Sequence, residues 1–146
     1  MHDPFELTRF VDAQQPVFDR VMVELHAGRK TSHWMWFIFP QLQGLGRSEI
    51  AQRFSISGAD EAQAYLRHPC LGPRLERCVK ALLEHRDKTA RQILGAPDDL
   101  KLHSSLTLFA WVSDEAPLYK QALDQFFAGK PDDKTLAMLG QPFRSR

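Results

Sequence analysis

The stretch PDDLKLHSSLTLFAWV, residues 97–112, has the pattern of one long helix and points to an all-helical fold. Pro97 followed by Asp98 and Asp99 is typical of a first helical turn, because proline fits there and acidic side chains complement the helix dipole. The apolar positions that follow are Leu100, Leu102, Leu106, Leu108, Phe109 and Trp111. A strand is the alternative for Leu106–Val112, where an apolar run alone does not separate the two structures.

Helical spacing recurs along most of the chain. The clearest apolar stripe consists of Leu75, Cys78, Val79, Leu82 and Leu83. Gly28 and Gly95 stand where helices are expected to end. Residues 41–58 lack sustained periodicity, which predicts an ordered loop with one helical turn near Ser48–Phe54. Strand-like alternation is weak, and Trp34–Phe39 is the other segment that could be helix or strand.

Length and composition predict a single domain. A chain of 146 residues has the size of one domain and can bury a core, and its 43% hydrophobic and 25% charged residues are ordinary for a globular protein. We therefore expect residues 1–146 to form one compact all-α bundle of roughly seven or eight short helices, with little or no sheet.

Charge and residue usage argue against several classes of function. The formal net charge is only +1, whereas a nucleic-acid-binding domain usually carries a strong basic excess. The six histidines and two cysteines form neither an HExxH nor a CxxC motif, so neither a metal site nor a cofactor is predicted. The start MHDPFELTRF lacks the pattern of a signal peptide and no stretch is long enough to span a membrane, so we expect a cytoplasmic protein.

The segment SHWMWFIFPQ, Ser32–Gln41, is the densest chemical signal in the chain. On a helix, Trp34 and Trp36 would point about 200° apart, so one could lie in the core while the other faces a cleft. Together with His33 and Gln41 they provide a stacking face, an acid or base and an amide, which are the groups of a planar-ligand pocket. The alternative is a buried helix in which His33 bonds to the backbone.

Residues 98–107 form a second polar constellation. On a helix, Asp98, Lys101 and Ser105 share one face. The hydroxyl side chains in this otherwise apolar helix are those of Ser104, Ser105 and Thr107. Buried hydroxyls need partners, and phosphate or ribose groups are suitable ones. The alternative is a solvated helix face with Asp98 and Lys101 as a weak surface ion pair.

The glycines of GLGRS, residues 44–48, predict a tight turn before a helix start. Backbone amides there, together with Arg47, could hold an anion. The simpler interpretation is a turn followed by a helix cap, because neither a Walker motif nor a dinucleotide fingerprint is present.

Four segments, in this order, resemble the bacterial "domain of unknown function 1810" family: DPFELTRFVDAQQPVFDRVMVEL, GRKTSHWMWFIFPQLQGLGRS, EAQAYLRHPCLGPRLERC and PDDLKLHSSLTLFA. The resemblance covers about Asp3–Leu139. It implies a compact, mostly helical domain of uncertain role; the label calpastatin, used for some members, has no support in these residues. The family is also distantly similar to the NADAR group, which is linked to ADP-ribose derivatives and N-glycosidic bond cleavage, but no catalytic residue is carried over from it.

From these observations we expect a small-molecule pocket protein, in its sharpest form an N-glycoside hydrolase acting on a nucleotide or ADP-ribose-like ligand. Trp34 or Trp36 would stack on the ring, and Asp99, with Asp98 as the alternative, would act as acid, base or oxocarbenium stabiliser. Phosphate or ribose binding and substrate orientation fall to Arg47, Lys101, Ser104, Ser105, Thr107, His33 and Gln41. This hypothesis requires the two polar segments to converge on one concave site.

Two other functions remain open. A non-catalytic protein-interaction module would lack a pocket near Trp34 and would expose an apolar patch of several hundred Å² elsewhere. A nucleic-acid-binding protein would show a contiguous basic face, which the charge balance makes the weakest hypothesis. A monomer or a weak homodimer is expected.

Overall fold

The computed structural model describes residues 3–113 and 117–140, and within them it contains ten helices and no strand. The helices are α1 Thr8–Gln14, α2 Phe18–Ala27, α3 Met35–Ile38, α4 Glu49–Arg53, α5 Ala59–Arg67, α6 Leu71–Leu83, α7 Ala90–Leu94, α8 Asp98–Val112, α9 Leu118–Phe127 and α10 Asp133–Leu139. The all-α prediction is confirmed. The helix count is above the predicted one because α3, α4 and α7 are separate helices of only four or five residues. Every helix in the described part of the chain is too short or too polar to cross a membrane.

Helix α8 lies at the centre of the fold. It packs against α5, α7, α9 and α10, and buried residues occur along its length from Leu102 to Val112. A helix surrounded by others has apolar side chains on every face and therefore no single stripe. This explains why Leu106–Val112 resembles a buried strand in the sequence. Leu100, in the first turn, is the exception, with 64% of its surface exposed.

The ambiguous Trp34–Phe39 segment contains one helical turn, α3, and no strand. Its backbone is tied to α1, because the buried amide of Gln14 donates to the carbonyl of Phe37 at 2.7 Å and to the hydroxyl of Tyr65 at 3.0 Å. The segment that follows, residues 41–58, is the predicted ordered loop with one helical turn.

That loop is closed by hydrogen bonds near its two ends. The amide of Ile56 donates to the carbonyl of Gln41 and the amide of Gln43 donates to the carbonyl of Ile56, both at 2.8 Å. Within it, the hydroxyl of Ser48 caps α4 by accepting from the amide of Ala51. The cap satisfies one of the backbone donors that a helix start leaves free.

Arg9 of α1 fastens the end of this loop. Its guanidinium donates to the carbonyls of Arg53 at 2.9 Å and Ser55 at 2.8 Å, and pairs with the buried carboxylate of Glu61 at 2.9 Å. The other oxygen of Glu61 accepts from the amide of Ser57 at 2.9 Å. The loop formed by residues 41–58 is therefore held at both ends by hydrogen bonds.

The corner between α5 and α6 depends on a glycine. A Cβ atom at Gly72 would lie 2.1 Å from the backbone carbonyl oxygen of Leu66. Beside it, the Nδ1 atom of His68 accepts from the amides of Cys70 at 3.1 Å and Leu71 at 3.2 Å. The imidazole therefore caps α6 where the chain reverses.

We predict that Gly72→Ala lowers the free energy of unfolding by about 2 kcal/mol, because the methyl group forces two helices apart. Alanine normally stabilises a helix by about 1 kcal/mol over glycine, so a loss would isolate the steric effect. Gly58→Ala, at the N-cap of α5, is the control without a clash, since its Cβ would meet no atom within 4 Å, and it should destabilise the fold less than Gly72→Ala. Denaturant unfolding of the three proteins measures the difference; equal stability of the two variants would contradict the predicted clash.

Candidate functional site

The Ser32–Gln41 segment is anchored by the carboxylate of Glu24, which lies on α2 and is 6% exposed. One oxygen accepts from the amides of Thr31 at 2.8 Å and Ser32 at 3.0 Å, and from the indole nitrogen of Trp34 at 2.9 Å. The other oxygen accepts from the hydroxyl of Ser32. A single buried side chain thus organises the start of the segment.

The charge of Glu24 is stabilised by these donors. Burial by itself raises the pKa of the carboxyl, but the hydrogen bonds from Ser32, Thr31 and Trp34 outweigh it and lower the pKa from 4.5 to about 2. Glu24 is therefore ionised at neutral pH. The sequence reasoning missed it, although its position three residues after buried Val21 places an acid beside the inward positions of α2.

The two tryptophans have different environments. Trp34 is 1% exposed, packs against Phe39 with ring centroids 6.3 Å apart, and uses its indole nitrogen on Glu24. Trp36 is partly exposed, and the ammonium of Lys101 lies 5.2 Å from its ring centroid. Of the two stacking candidates, Trp36 is the one with an accessible ring.

The two polar segments meet through two lysines that flank Asp98. Its Oδ2 lies 2.9 Å from the ammonium of Lys30 and its Oδ1 lies 3.6 Å from that of Lys101. Lys30 also lies 5.1 Å from the ring centroid of Trp34. The first turn of α8 is therefore joined to the aromatic segment by two ammonium groups that share one carboxylate.

A shallow depression lies beside Trp36, and we call it the Trp36 depression. It measures about 280 Å³ including the space open to solvent, and its enclosed part has room for about one water molecule. Trp36, Phe39 and Phe54 contribute apolar walls, and Gln41 and Lys101 contribute an amide and an ammonium group. The depression can take the edge of a flat group or a small substituent, with a hydrogen-bonding amide and a cation in reach.

Other predicted site residues lie elsewhere. Asp99 precedes Lys101 by two residues, so it points about 200° away around α8 and does not line the Trp36 depression. Its Oδ1 atom is buried and has no hydrogen-bond partner in the described part of the chain. His33 and Arg47 are exposed, and neither lines the depression.

The hydroxyl groups of α8 are buried. Two of them form hydrogen bonds within the protein, and the third has no partner among the described residues. Ser104 lies 2.9 Å from the hydroxyl of Thr135 in α10, and Thr107 accepts from the amide of Asp132 at 2.9 Å. Ser105 is 1% exposed and its hydroxyl has no partner among residues 3–113 and 117–140. The hydroxyls of Ser104 and Thr107 thus join α8 to α10. None of these three hydroxyl side chains lines the Trp36 depression.

The comparisons with known proteins identify a family. The family described as "Protein of unknown function (DUF1810)" matches residues 4–139, which confirms the resemblance found in the sequence. A solved structure, the crystal structure of the conserved hypothetical protein Rv1873 from Mycobacterium tuberculosis at 1.38 Å, is 49% identical and superposes with a TM-score of 0.93. The match covers 96% of this chain and 100% of that chain. No curated protein matches.

We predict that Glu24→Gln lowers the free energy of unfolding at pH 7 by about 2–3 kcal/mol, because an amide offers fewer acceptors to the buried donors. Glu49→Gln, on an exposed residue of α4, is the control and should change little.

The same pair of variants tests whether the negative charge of Glu24 stabilises the fold. Because folding lowers the pKa of Glu24 to about 2 from 4.5, its ionisation stabilises the fold above pH 4.5, and this stabilisation is lost as the pH falls towards 2. The difference in free energy of unfolding between wild type and Glu24→Gln, measured by denaturant titration, should therefore become smaller as the pH is lowered from 4.5 towards 2. A gap that stays constant would show that the charge of Glu24 contributes nothing.

Proposed function

We propose that this chain, which belongs to the DUF1810 family, binds a small anionic ligand with a planar ring, of the nucleotide class, at the Trp36 depression. The observation that supports the proposal is the approach of Lys101 to within 5.2 Å of the Trp36 ring centroid, next to the amide of Gln41. Trp36 would stack on the ring, Gln41 would read a polar edge, and Lys101 would bind the anionic group.

The size of the depression limits how the ligand binds. An enclosed space of about one water molecule admits a ring edge or one substituent, so most of the ligand would lie on the protein surface. Arg47 follows Gly46, which lines the depression, and it could therefore contact a phosphate group at the rim. The buried hydroxyls of α8 have no part in this mode of binding.

N-glycoside hydrolysis is the finer form of this proposal. It needs a carboxylate near the sugar carbon to stabilise an oxocarbenium-like transition state. Asp98 is better placed than Asp99, because Asp98 pairs with Lys101 at 3.6 Å whereas Asp99 points away from it. The similarity to the NADAR group and a cytoplasmic location both stay predictions from the sequence.

A protein-interaction module is the second candidate. Leu100 is 64% exposed and lies in the first turn of α8, about 200° around the helix from Asp98 and about 100° from Lys101, so the same helix end presents an apolar group on another face. Val23 and Met138 are also exposed, at 68% and 46%. A partner surface that carries acidic and apolar groups would fit this neighbourhood of α8.

A thermal-shift screen with NAD, ADP-ribose, nucleotides and nucleosides separates these functions, because binding to the native state raises the melting temperature. We expect a nucleotide-class hit that Trp36→Ala and Lys101→Ala both abolish. Lys134→Ala, on an exposed lysine of α10, is the matched control and should keep the hit. Trp34 is unsuitable for this test because its substitution would disrupt the core.

The other outcomes are equally informative. If no ligand of the panel raises the melting temperature at millimolar concentration, the protein-interaction module is favoured. A hit that survives both Trp36→Ala and Lys101→Ala would place the ligand outside the Trp36 depression. Release of free base from a bound nucleotide, abolished by Asp98→Asn, would support hydrolysis.

A further inference from the structure

We infer that Asp98 is an internal competitor that occupies Lys101 until an external anion replaces it, while Lys30 retains Asp98 as the anion enters. The inference rests on the proposed function for the identity of the ligand. The competition itself concerns only the charged groups of this chain, so an inorganic anion can test it.

The three charged side chains are graded in distance and exposure. Asp98 lies 2.9 Å from Lys30 but 3.6 Å from Lys101, so the pair with Lys30 is the closer one. The exposed fraction rises from 9% for Lys30 to 18% for Asp98 and 25% for Lys101. An anion that arrives from solvent therefore meets Lys101 first, and Lys101 is also the cation that Asp98 holds at the longer distance.

The balance of charge leaves room for one more anion. Lys30 and Lys101 carry two positive charges and Asp98 supplies one negative charge, so the cluster has an excess of one positive charge. Opposite charges at such distances attract strongly where solvent is partly excluded. An arriving phosphate can take Lys101 without leaving Asp98 unpaired, because Lys30 stays beside its other oxygen.

Lys30 is well placed to retain Asp98. It follows the end of α2, its amide donates to the carbonyl of Ile93 at 2.7 Å, and its ammonium lies over the ring of Trp34. Trp34 is in turn held by the buried carboxylate of Glu24. Lys30 is thus positioned by the core of the fold, whereas Lys101 lies at the edge of the Trp36 depression. We therefore assign Lys30 a positioning role that acts on the ligand through Asp98.

The test is a double-mutant cycle with pyrophosphate as the probe, titrated at constant ionic strength and followed by the indole NMR signal of Trp36. Asp98→Asn should bind about tenfold more tightly than wild type, because Lys101 loses its internal partner. Lys30→Met should bind about fivefold more weakly, because Asp98 then pairs with Lys101 alone. In the Asp98→Asn background, Lys30→Met should change the affinity less than twofold.

Two controls accompany the cycle. Asp12→Asn removes an exposed carboxylate that forms no ion pair among the described residues, and it should leave the affinity unchanged. Lys101→Met should abolish binding. If Lys30→Met fails to fold, Lys30→Gln keeps the cycle intact, since it also removes the ammonium group.

Three results would overturn the inference. Equal affinity of wild type and Asp98→Asn would show that Asp98 does not compete. An equal loss from Lys30→Met in both backgrounds would show that Lys30 attracts the anion directly. No pyrophosphate signal in Asp98→Asn would show that Lys101 is not an anion site. In contrast, a silent nucleotide screen with tighter pyrophosphate binding by Asp98→Asn would overturn the proposed ligand and leave the competition standing.

Discussion

The buried carboxylate of Glu24 fixes the loop between α2 and α3, which has no helix or strand of its own. Residues 28–34 leave α2 through Gly28 in a left-handed conformation and must re-enter the core at Trp34. Four donors of this stretch converge on one buried carboxylate, and the cost of removing that charge from water is met by hydrogen bonds to it. Because this geometry orients Trp34 inward, it brings Lys30 to the first turn of α8 and leaves Trp36 on the outside. The candidate site therefore depends on a residue that does not line it.

Helix α8 combines two tasks that usually belong to different elements. Its middle is buried in the core, where the hydroxyls of Ser104 and Thr107 form hydrogen bonds to residues of α10 and its N-cap. Its first turn carries the charges of Asp98 and Lys101 to the aromatic segment. The helical backbone keeps the two charged groups in register with each other, as a binding site on a loop would not. The buried hydroxyl of Ser105, between Ser104 and Thr107 in sequence, has no partner in the described part of the chain.

Much of the fold was predictable because its signals are local. Caps and helix ends, such as those at Ser48, Gly28 and Gly95, depend on residues within one turn of each other. The spacing of Trp34 and Trp36 predicted that one could lie in the core and the other face a cleft, but it did not say which, because that depends on Glu24, which binds the indole of Trp34. The site was less predictable because the sequence favoured Asp99 as the acid or base, whereas Lys30, which is distant in the chain, pairs with Asp98. The partners of the α8 hydroxyls were hidden for the same reason.

For the ligand that we propose, the shape of the Trp36 depression would make charge the main source of selectivity. Affinity from apolar burial scales with the area removed from water, and a site that encloses about one water molecule removes little of it. The proposed ligand would therefore gain most of its binding energy from stacking on Trp36 and from the ammonium of Lys101. Both interactions strengthen where water is partly excluded, as it is between α3 and the first turn of α8. A neutral ring lacks the contact with the ammonium of Lys101, and a small anion lacks the stacking contact with Trp36. The site should consequently prefer molecules that carry both groups a short distance apart, which is the feature that sets nucleotides apart from nucleosides and from free phosphate.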